Sequence, residues 1–209
     1  MSGKRGPAQC VIAAALAGAV AACAMLPVAP PSTPAALPNG VTPQQMVASI
    51  RAAAAAGSAA ELDVQPLRDS QVEDLRQQAA ALEAQGRYPD AAELLQQALA
   101  ANPQDPAVMQ EAAEAAVLLW QFDEAERLAR RAYASGSGVG PLCRRHWAVV
   151  EQVAQARLAL ASVPPATRSR GNAVAQGQAT VLAAQQARAD AAAAKQAREA
   201  CTVSAPQRF

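Results

Sequence analysis

The sequence GRYPDAAELLQQALAANPQDP, residues 86–106, decides the fold of this chain. Gly86 and Pro89 mark a turn, and the apolar residues that follow recur with helical spacing until Asn102-Pro103 ends the pattern. Asp105-Pro106 then has the form of a new helix start, with a capping residue followed by proline at the first helical position. The stretch therefore predicts a helix joined by tight turns to a helix on either side.

The same pattern returns 34 residues later. Tyr88 corresponds to Phe122, and the alanines and leucines between the turns fall in register, in the pairs Ala79/Ala113, Ala91/Ala125, Leu94/Leu128 and Ala98/Ala132. The match of two aromatic residues is informative because the chain has only two Trp, two Tyr and two Phe. A fixed period of this length is typical of stacked helix–turn–helix units.

The pattern Gly86-x-Tyr88-x-x-Ala91-x(6)-Ala98-x(4)-Pro103 resembles the tetratricopeptide repeat. In that family small residues lie where paired helices cross, and the aromatic residue packs between units. The resemblance covers about residues 72–138, although the second copy has Trp120 in place of the turn glycine and Ser137 in place of the closing proline. It assigns repeat-packing roles to Gly86, Tyr88, Ala91, Ala98, Pro103, Phe122, Ala125 and Ala132.

The composition agrees with an all-α fold and argues against most other classes. Alanine accounts for 58 of the 209 residues, whereas a sheet-based core needs branched and aromatic side chains. The net charge of +1 gives no basic excess for nucleic acid. The single histidine, His146, lacks an evident catalytic partner and is expected on a helix surface, and Gly136–Gly140 is expected to be a flexible loop. We therefore expect no catalytic residue, metal, cofactor or small-molecule substrate.

The N-terminus predicts export. Lys4 and Arg5 precede a short apolar stretch, so residues 1–22 have the form of a signal peptide. Val20-Ala21-Ala22-Cys23 resembles the bacterial lipobox, which implies that Cys23 is diacylated and anchors the chain to a membrane. The residue after Cys23 is not aspartate, which implies the inner leaflet of the outer membrane, facing the periplasm. The alternative is ordinary cleavage in this alanine-rich sequence, which would give a soluble periplasmic protein.

The mature chain divides into four further segments. Residues 23–42 are a lipidated N-terminus and a Pro/Ala-rich linker, expected to be an extended tether. Residues 43–69 hold a short helix, capped by Thr42 and Gln45, and a low-complexity segment without an evident packing role. Residues 70–138 are two repeats, the first starting with a Ser70/Glu73 capping box. Residues 139–209 are a degenerate third unit, with a helix over about 141–162 and a capping helix from near Gln178 to Ala200.

The last two cysteines are expected to form a disulfide. Cys143 lies in the first turn of the 141–162 helix, and Cys201 follows the final helix. Two antiparallel helices of similar length bring these ends together. Because Cys10 would be removed with the signal peptide and Cys23 would be acylated, only these two thiols remain in an oxidising periplasm.

The resemblance to the tetratricopeptide repeat also implies a protein partner. In that family the first helix of each pair lines a concave groove, and the matching positions here are Glu73, Arg76, Glu83, Gln110, Glu114, Val117, Leu118, Arg144 and Glu151. For each of them a solvated helix face is the alternative. Chaperone-binding members of the family bind a C-terminal carboxylate through a clamp that includes an asparagine. The matching positions here are occupied by Ala80, Glu114 and Ala148, so that clamp is absent. The expected function is scaffolding in outer-membrane, pilus or secretion assembly, or alternatively support of a cell-wall enzyme by a soluble adaptor.

Overall fold

The structure is a computed structural model, and it describes residues 35–55, 69–163 and 173–202, all within one compact unit. These ranges contain helices and no strand, which confirms the all-α prediction. The helices are α1 (Pro43–Ala55), α2 (Ser70–Ala84), α3 (Tyr88–Ala101), α4 (Pro106–Leu118), α5 (Phe122–Ser135), α6 (Pro141–Ala161) and α7 (Ala173–Ala200). The predicted start of the last helix near Gln178 was wrong by five residues.

Local sequence signals explain where the repeat helices begin. Asp105 caps α4, because its carboxylate accepts the backbone N–H groups of Ala107 at 2.9 Å and Val108 at 3.2 Å. The predicted cap of α2 was wrong by one residue: Asp69 accepts the N–H of Gln71 at 2.8 Å, and Ser70 is already helical. Aspartate accepts this bond with a charged oxygen, so it is the better cap of the two.

Consecutive helices pack against one another from α2 to α7, in the pairs α2/α3, α4/α5 and α6/α7. The alanines of the 34-residue register, Ala91, Ala98, Ala125 and Ala132, are all at most 2% exposed. Their small side chains let the helix axes approach closely, which is the packing that the repeat pattern predicts. Tyr88 and Phe122 are partly buried against the same core, while Pro103 is exposed.

The turns inside the two repeats have the same backbone conformation despite different residues. Gly86 adopts φ +75°, in the left-handed region that favours glycine. Trp120, at the matching position, adopts φ +61°. Within the described ranges it is the only residue other than glycine with a positive φ. Its ring lies 5.7 Å from that of Phe122 and packs against the core, so side-chain packing compensates for the backbone strain.

The first described segment departs from the sequence-based expectation. Leu37 is only 5% exposed and belongs to the core, and a turn over residues 37–41 is closed by a hydrogen bond from Leu37 N to Val41 O of 2.8 Å. This end of the linker is therefore folded, because an apolar side chain is buried there. The rest of the predicted tether lies outside the described residues. None of the described helices has the length and apolar character needed to cross a membrane.

Candidate functional site

Helix α1 lies across the first helices of the repeat pairs. It packs against α4 and α6, and Arg51 extends from it to Glu83 of α2. Thr42 and Gln45 cap its start reciprocally, with N–H to side-chain oxygen distances of 2.9 and 3.2 Å. Its core-facing side chains, Met46, Val47 and Ile50, are at most 3% exposed. The sequence indicated no packing role for this helix. It nevertheless covers the face formed by the first helices of the repeat pairs, which was expected to be an open groove.

Glu114 of α4 is the centre of the contact with α1. Its side chain is 0% exposed, and it accepts hydrogen bonds from Arg51 Nε at 2.7 Å, Arg145 Nε at 3.0 Å and Gln110 Nε2 at 2.8 Å. Arg51 also donates to Glu83 at 2.9 Å. Burial would lower the pKa of Arg51, but the hydrogen bond with Glu83 and the charge of Glu114 raise it above its ordinary value. The buried carboxylate is thus neutralised by cations from two helices.

His146 extends this buried network. Its Nδ1 lies 2.6 Å from Gln110 Oε1, and because the Gln110 amide nitrogen donates to Glu114, the histidine must donate here. Its Nε2 has no hydrogen-bond partner among the described residues. Burial, with a smaller contribution from the charge of Arg145, lowers the pKa of His146 to about 4. The predicted surface position of His146 was wrong, because Gln110 of the neighbouring repeat supplies a buried acceptor.

Arg144 holds the other end of α1. Its guanidinium is buried and donates to the carbonyl oxygens of Ala53 at 3.3 Å and Ala54 at 2.8 Å. The last carbonyls of a helix lack partners within the helix and carry partial negative charge, so a cation stabilises them. Arg144 therefore binds the C-terminal end of α1 at this point of the face.

The nine predicted groove residues do not form one solvated face. Five of them are buried, namely Gln110, Glu114, Val117, Leu118 and Arg144. Glu151 faces the cap instead and accepts from Arg198 of α7 at 2.9 Å. On α2, Glu83 binds Arg51, while Arg76 binds Glu73 at 2.6 Å and Glu111 of α4 at 2.8 Å. The alternative of a solvated helix face does not hold for the five buried residues, because α1 covers α4 and α6 and several of these side chains join neighbouring helices.

One end of the face is open. Ala80, Glu114 and Ala148 occupy the same repeat position, 34 residues apart. Glu114 and Ala148 are buried, whereas Ala80 of α2 is exposed. A partner can therefore reach the α2 part of the face while α1 is in place.

The structure places Cys143 and Cys201 together as a disulfide, with their Cα atoms 5.7 Å apart. Gly140 supports the junction, since its N–H donates to the carbonyl of Cys201 at 2.8 Å and its φ of +91° favours glycine. The expected loop over 136–140 is thus tied to the end of α7. Cys23 lies outside the described residues, so its acylation stays a prediction.

The described side chains present no evident catalytic arrangement. No group of three or more His, Cys, Asp or Glu in these ranges could hold a metal ion. Three polar residues of the face, Glu83, Glu114 and Arg144, instead hold α1. Sequence reasoning missed Arg51 and the apolar residues of α1, although Met46-Val47-x-x-Ile50-Arg51 is an amphipathic pattern that could have indicated a docked helix.

Comparison with known proteins agrees with this architecture. Residues 82–135, from the end of α2 to the end of α5, match the family model of the tetratricopeptide repeat. No curated protein and no solved structure matches the chain. Repeats of this kind are typically non-catalytic scaffolds for protein–protein interaction. Residues 82–135 are therefore similar to the tetratricopeptide repeat, and their stacked helix pairs follow the same 34-residue register.

Proposed function

We propose that this chain is a lipid-anchored periplasmic protein whose repeats bind a protein partner during assembly of an outer-membrane, pilus or secretion complex. The observation that carries the proposal is the face formed by the first helices of the repeats, with its exposed α2 end at Ala80 and its buried acidic centre at Glu114. A face of this kind recognises protein segments, and no described cluster offers an alternative chemistry.

Two features support the proposed location. Val20-Ala21-Ala22-Cys23 has the form of a lipidation site after a basic n-region and an apolar stretch. The Cys143–Cys201 disulfide belongs to an oxidising compartment, because cytosolic thiols are kept reduced. Several acyl chains anchor a protein stably without a membrane-spanning helix.

Metabolic labelling with a palmitate analogue tests the anchor. The wild-type chain should incorporate the label and fractionate with outer membranes, and Cys23→Ser should do neither. Label in Cys23→Ser would contradict acylation at this residue. A wild-type chain that is exported but unlabelled would favour the soluble periplasmic adaptor, cleaved by the general signal peptidase and supporting a cell-wall enzyme.

In-cell photo-cross-linking tests the interaction. A photoreactive residue at Ala80 should give a discrete cross-linked partner in membranes. The same residue at Ala192, on the exposed side of α7, is the matched control and should not give that product. Identical products from both positions, or none from Ala80, would contradict binding at this face.

A further inference from the structure

Helix α1 is held on the repeats in the manner of a bound peptide. Each of the helices α2 to α7 packs on the next, so the array is continuous without α1. Helix α1 contacts it mainly through one side, to which Gln44 adds a hydrogen bond to the Tyr88 hydroxyl at 3.2 Å. Its other side is exposed at Gln45, Ala48, Ser49 and Ala52. An amphipathic helix that lays one apolar face into a groove is a common mode of peptide recognition.

The polar contacts of α1 specify what the groove accepts. Glu83 and Glu114 receive a guanidinium from Arg51, and Arg144 receives the carbonyl groups at the end of the helix. With α1 removed, Glu114 keeps Arg145 and Gln110 but loses one of its cations, and the carbonyl acceptors of Arg144 on α1 are lost. An occupant without a cation would leave the carboxylates undercompensated, which is unfavourable at a buried site.

We propose that this face is a helix-binding groove with α1 as its resident occupant. The partner inserts an amphipathic helix with apolar residues at positions i, i+1 and i+4, an arginine at i+5 and its C-terminus near Arg144, and it replaces α1. This inference rests on the proposed protein-binding function and names the kind of segment that is bound. The partner first meets the open α2 end of the face.

The covalent link of α1 to the array sets the strength of the competition. A tethered segment has an effective concentration of about 1 mM, so it competes strongly with a free helix. A partner helix therefore binds the wild-type chain far more weakly than a chain whose α1 is expelled. Disabling α1 should expose the intrinsic affinity of the groove.

Fluorescence anisotropy with a labelled peptide of residues 41–55 tests the proposal on the full-length protein. Ile50→Glu places a carboxylate at a fully buried position of α1 and expels the helix, so this variant should bind the peptide at least tenfold more tightly than wild type. Ala48→Glu adds the same charge on the exposed side of α1 and should bind like wild type. A peptide carrying Arg51→Ala should bind the Ile50→Glu variant at least tenfold more weakly.

A second form of the protein guards against misfolding of Ile50→Glu. A specific protease site inserted between Gly57 and Ser58 allows the link to be cut after folding. The labelled peptide should then exchange with the cleaved N-terminal fragment while circular dichroism shows that the array stays helical. Unfolding of the array on loss of α1, or no peptide binding in either form, would overturn the proposal. A wild-type dimer that exchanges α1 between copies would overturn it in favour of a second copy.

These experiments use purified protein alone. Failure of peptide exchange with a persistent Ala80 cross-link would remove the inference and leave the proposed function intact. Exchange without any cellular cross-link would instead count against the proposed function.

Discussion

Replacing Glu114 with glutamine keeps the shape of the side chain but removes the charge on which Arg51 and Arg145 converge. The Glu114 side chain is 0% exposed, whereas those of Arg51 and Arg145 are 46% and 23% exposed. Arg51 retains Glu83 and can turn toward water. Among the described residues, Arg145 forms its ion pair with Glu114. In the Glu114→Gln variant Arg145 therefore loses this partner, whereas Arg51 keeps Glu83.

The expected loss of stability follows from this difference. Breaking a fully buried ion pair by removing one partner destabilises a protein by about 3–5 kcal/mol. Because Arg145 is partly hydrated, we expect the lower end for Glu114→Gln, about 3 kcal/mol. For a domain of this size that corresponds to a fall in Tm of roughly 6–12 °C. The substitution should also weaken the docking of α1, because Arg51 loses one of its two carboxylate partners.

Thermal and urea unfolding at pH 7, followed by circular dichroism, measure the effect. Glu124→Gln is the matched control, since Glu124 pairs with Arg127 on the solvent side of α5 and should change stability by less than about 0.5 kcal/mol. Limited trypsin digestion should also cleave Glu114→Gln at Arg51 faster than wild type. Equal stabilities of the two variants, with equal cleavage at Arg51, would refute the buried cluster and the docked α1.

Three further predictions concern the core, the cap and the histidine. Ala98→Leu should destabilise the chain by about 1–3 kcal/mol in urea titrations, because Ala98 is 0% exposed and a larger side chain overpacks the helix crossing. Ala100→Leu, on the exposed side of α3, should be nearly neutral, and equal effects of the two substitutions would indicate that the 34-residue register arose by chance. Mass spectrometry of the non-reduced protein should find Cys143 linked to Cys201, and reduction should destabilise the chain by about 2–4 kcal/mol. Free thiols at both positions, or only disulfide-linked dimers, would contradict the closed cap. The pKa of His146 is about 4 in the folded chain and near 6.5 in the unfolded chain, so the unfolded chain binds the proton first as the pH falls. The free energy of unfolding should therefore decrease by up to roughly 3 kcal/mol between pH 6.5 and pH 4. His146 is the only histidine, so a urea midpoint that is unchanged between pH 7 and 5 would contradict its burial.

The boundaries of the repeat helices could be predicted because their signals are local. Gly86 and Pro89, Asn102-Pro103 and Asp105-Pro106 each act on the backbone within a few residues, and the helices begin and end beside them. The 34-residue period then identified which alanines share a helix crossing. A repeat array has mostly short-range contacts between neighbours, so local pattern and period describe most of it.

The position of α1 could not be derived in this way. Its partners, Glu83, Glu114 and Arg144, lie 32 to 91 residues away from the groups they bind. No local signal connects these residues, and the alanine-rich end of α1 hid its apolar face. The burial of His146 depended on Gln110, 36 residues earlier, and had the same cause.

Trp120 shows how tertiary packing overrides a local turn signal. At Gly86 the left-handed conformation is free of side-chain strain, whereas at Trp120 it costs about 1–2 kcal/mol. The second turn nevertheless closes in the same way, with the N–H of Gln121 donating to Ala116 O at 2.8 Å, as that of Arg87 donates to Leu82 O at 2.9 Å. Contact of the indole with Phe122 and the core offsets the strain. With Trp120 in place of glycine, the turn therefore loses a favourable backbone conformation and gains a side-chain packing contact. The stacking of α4 on α5, and with it the position of Glu114, is kept.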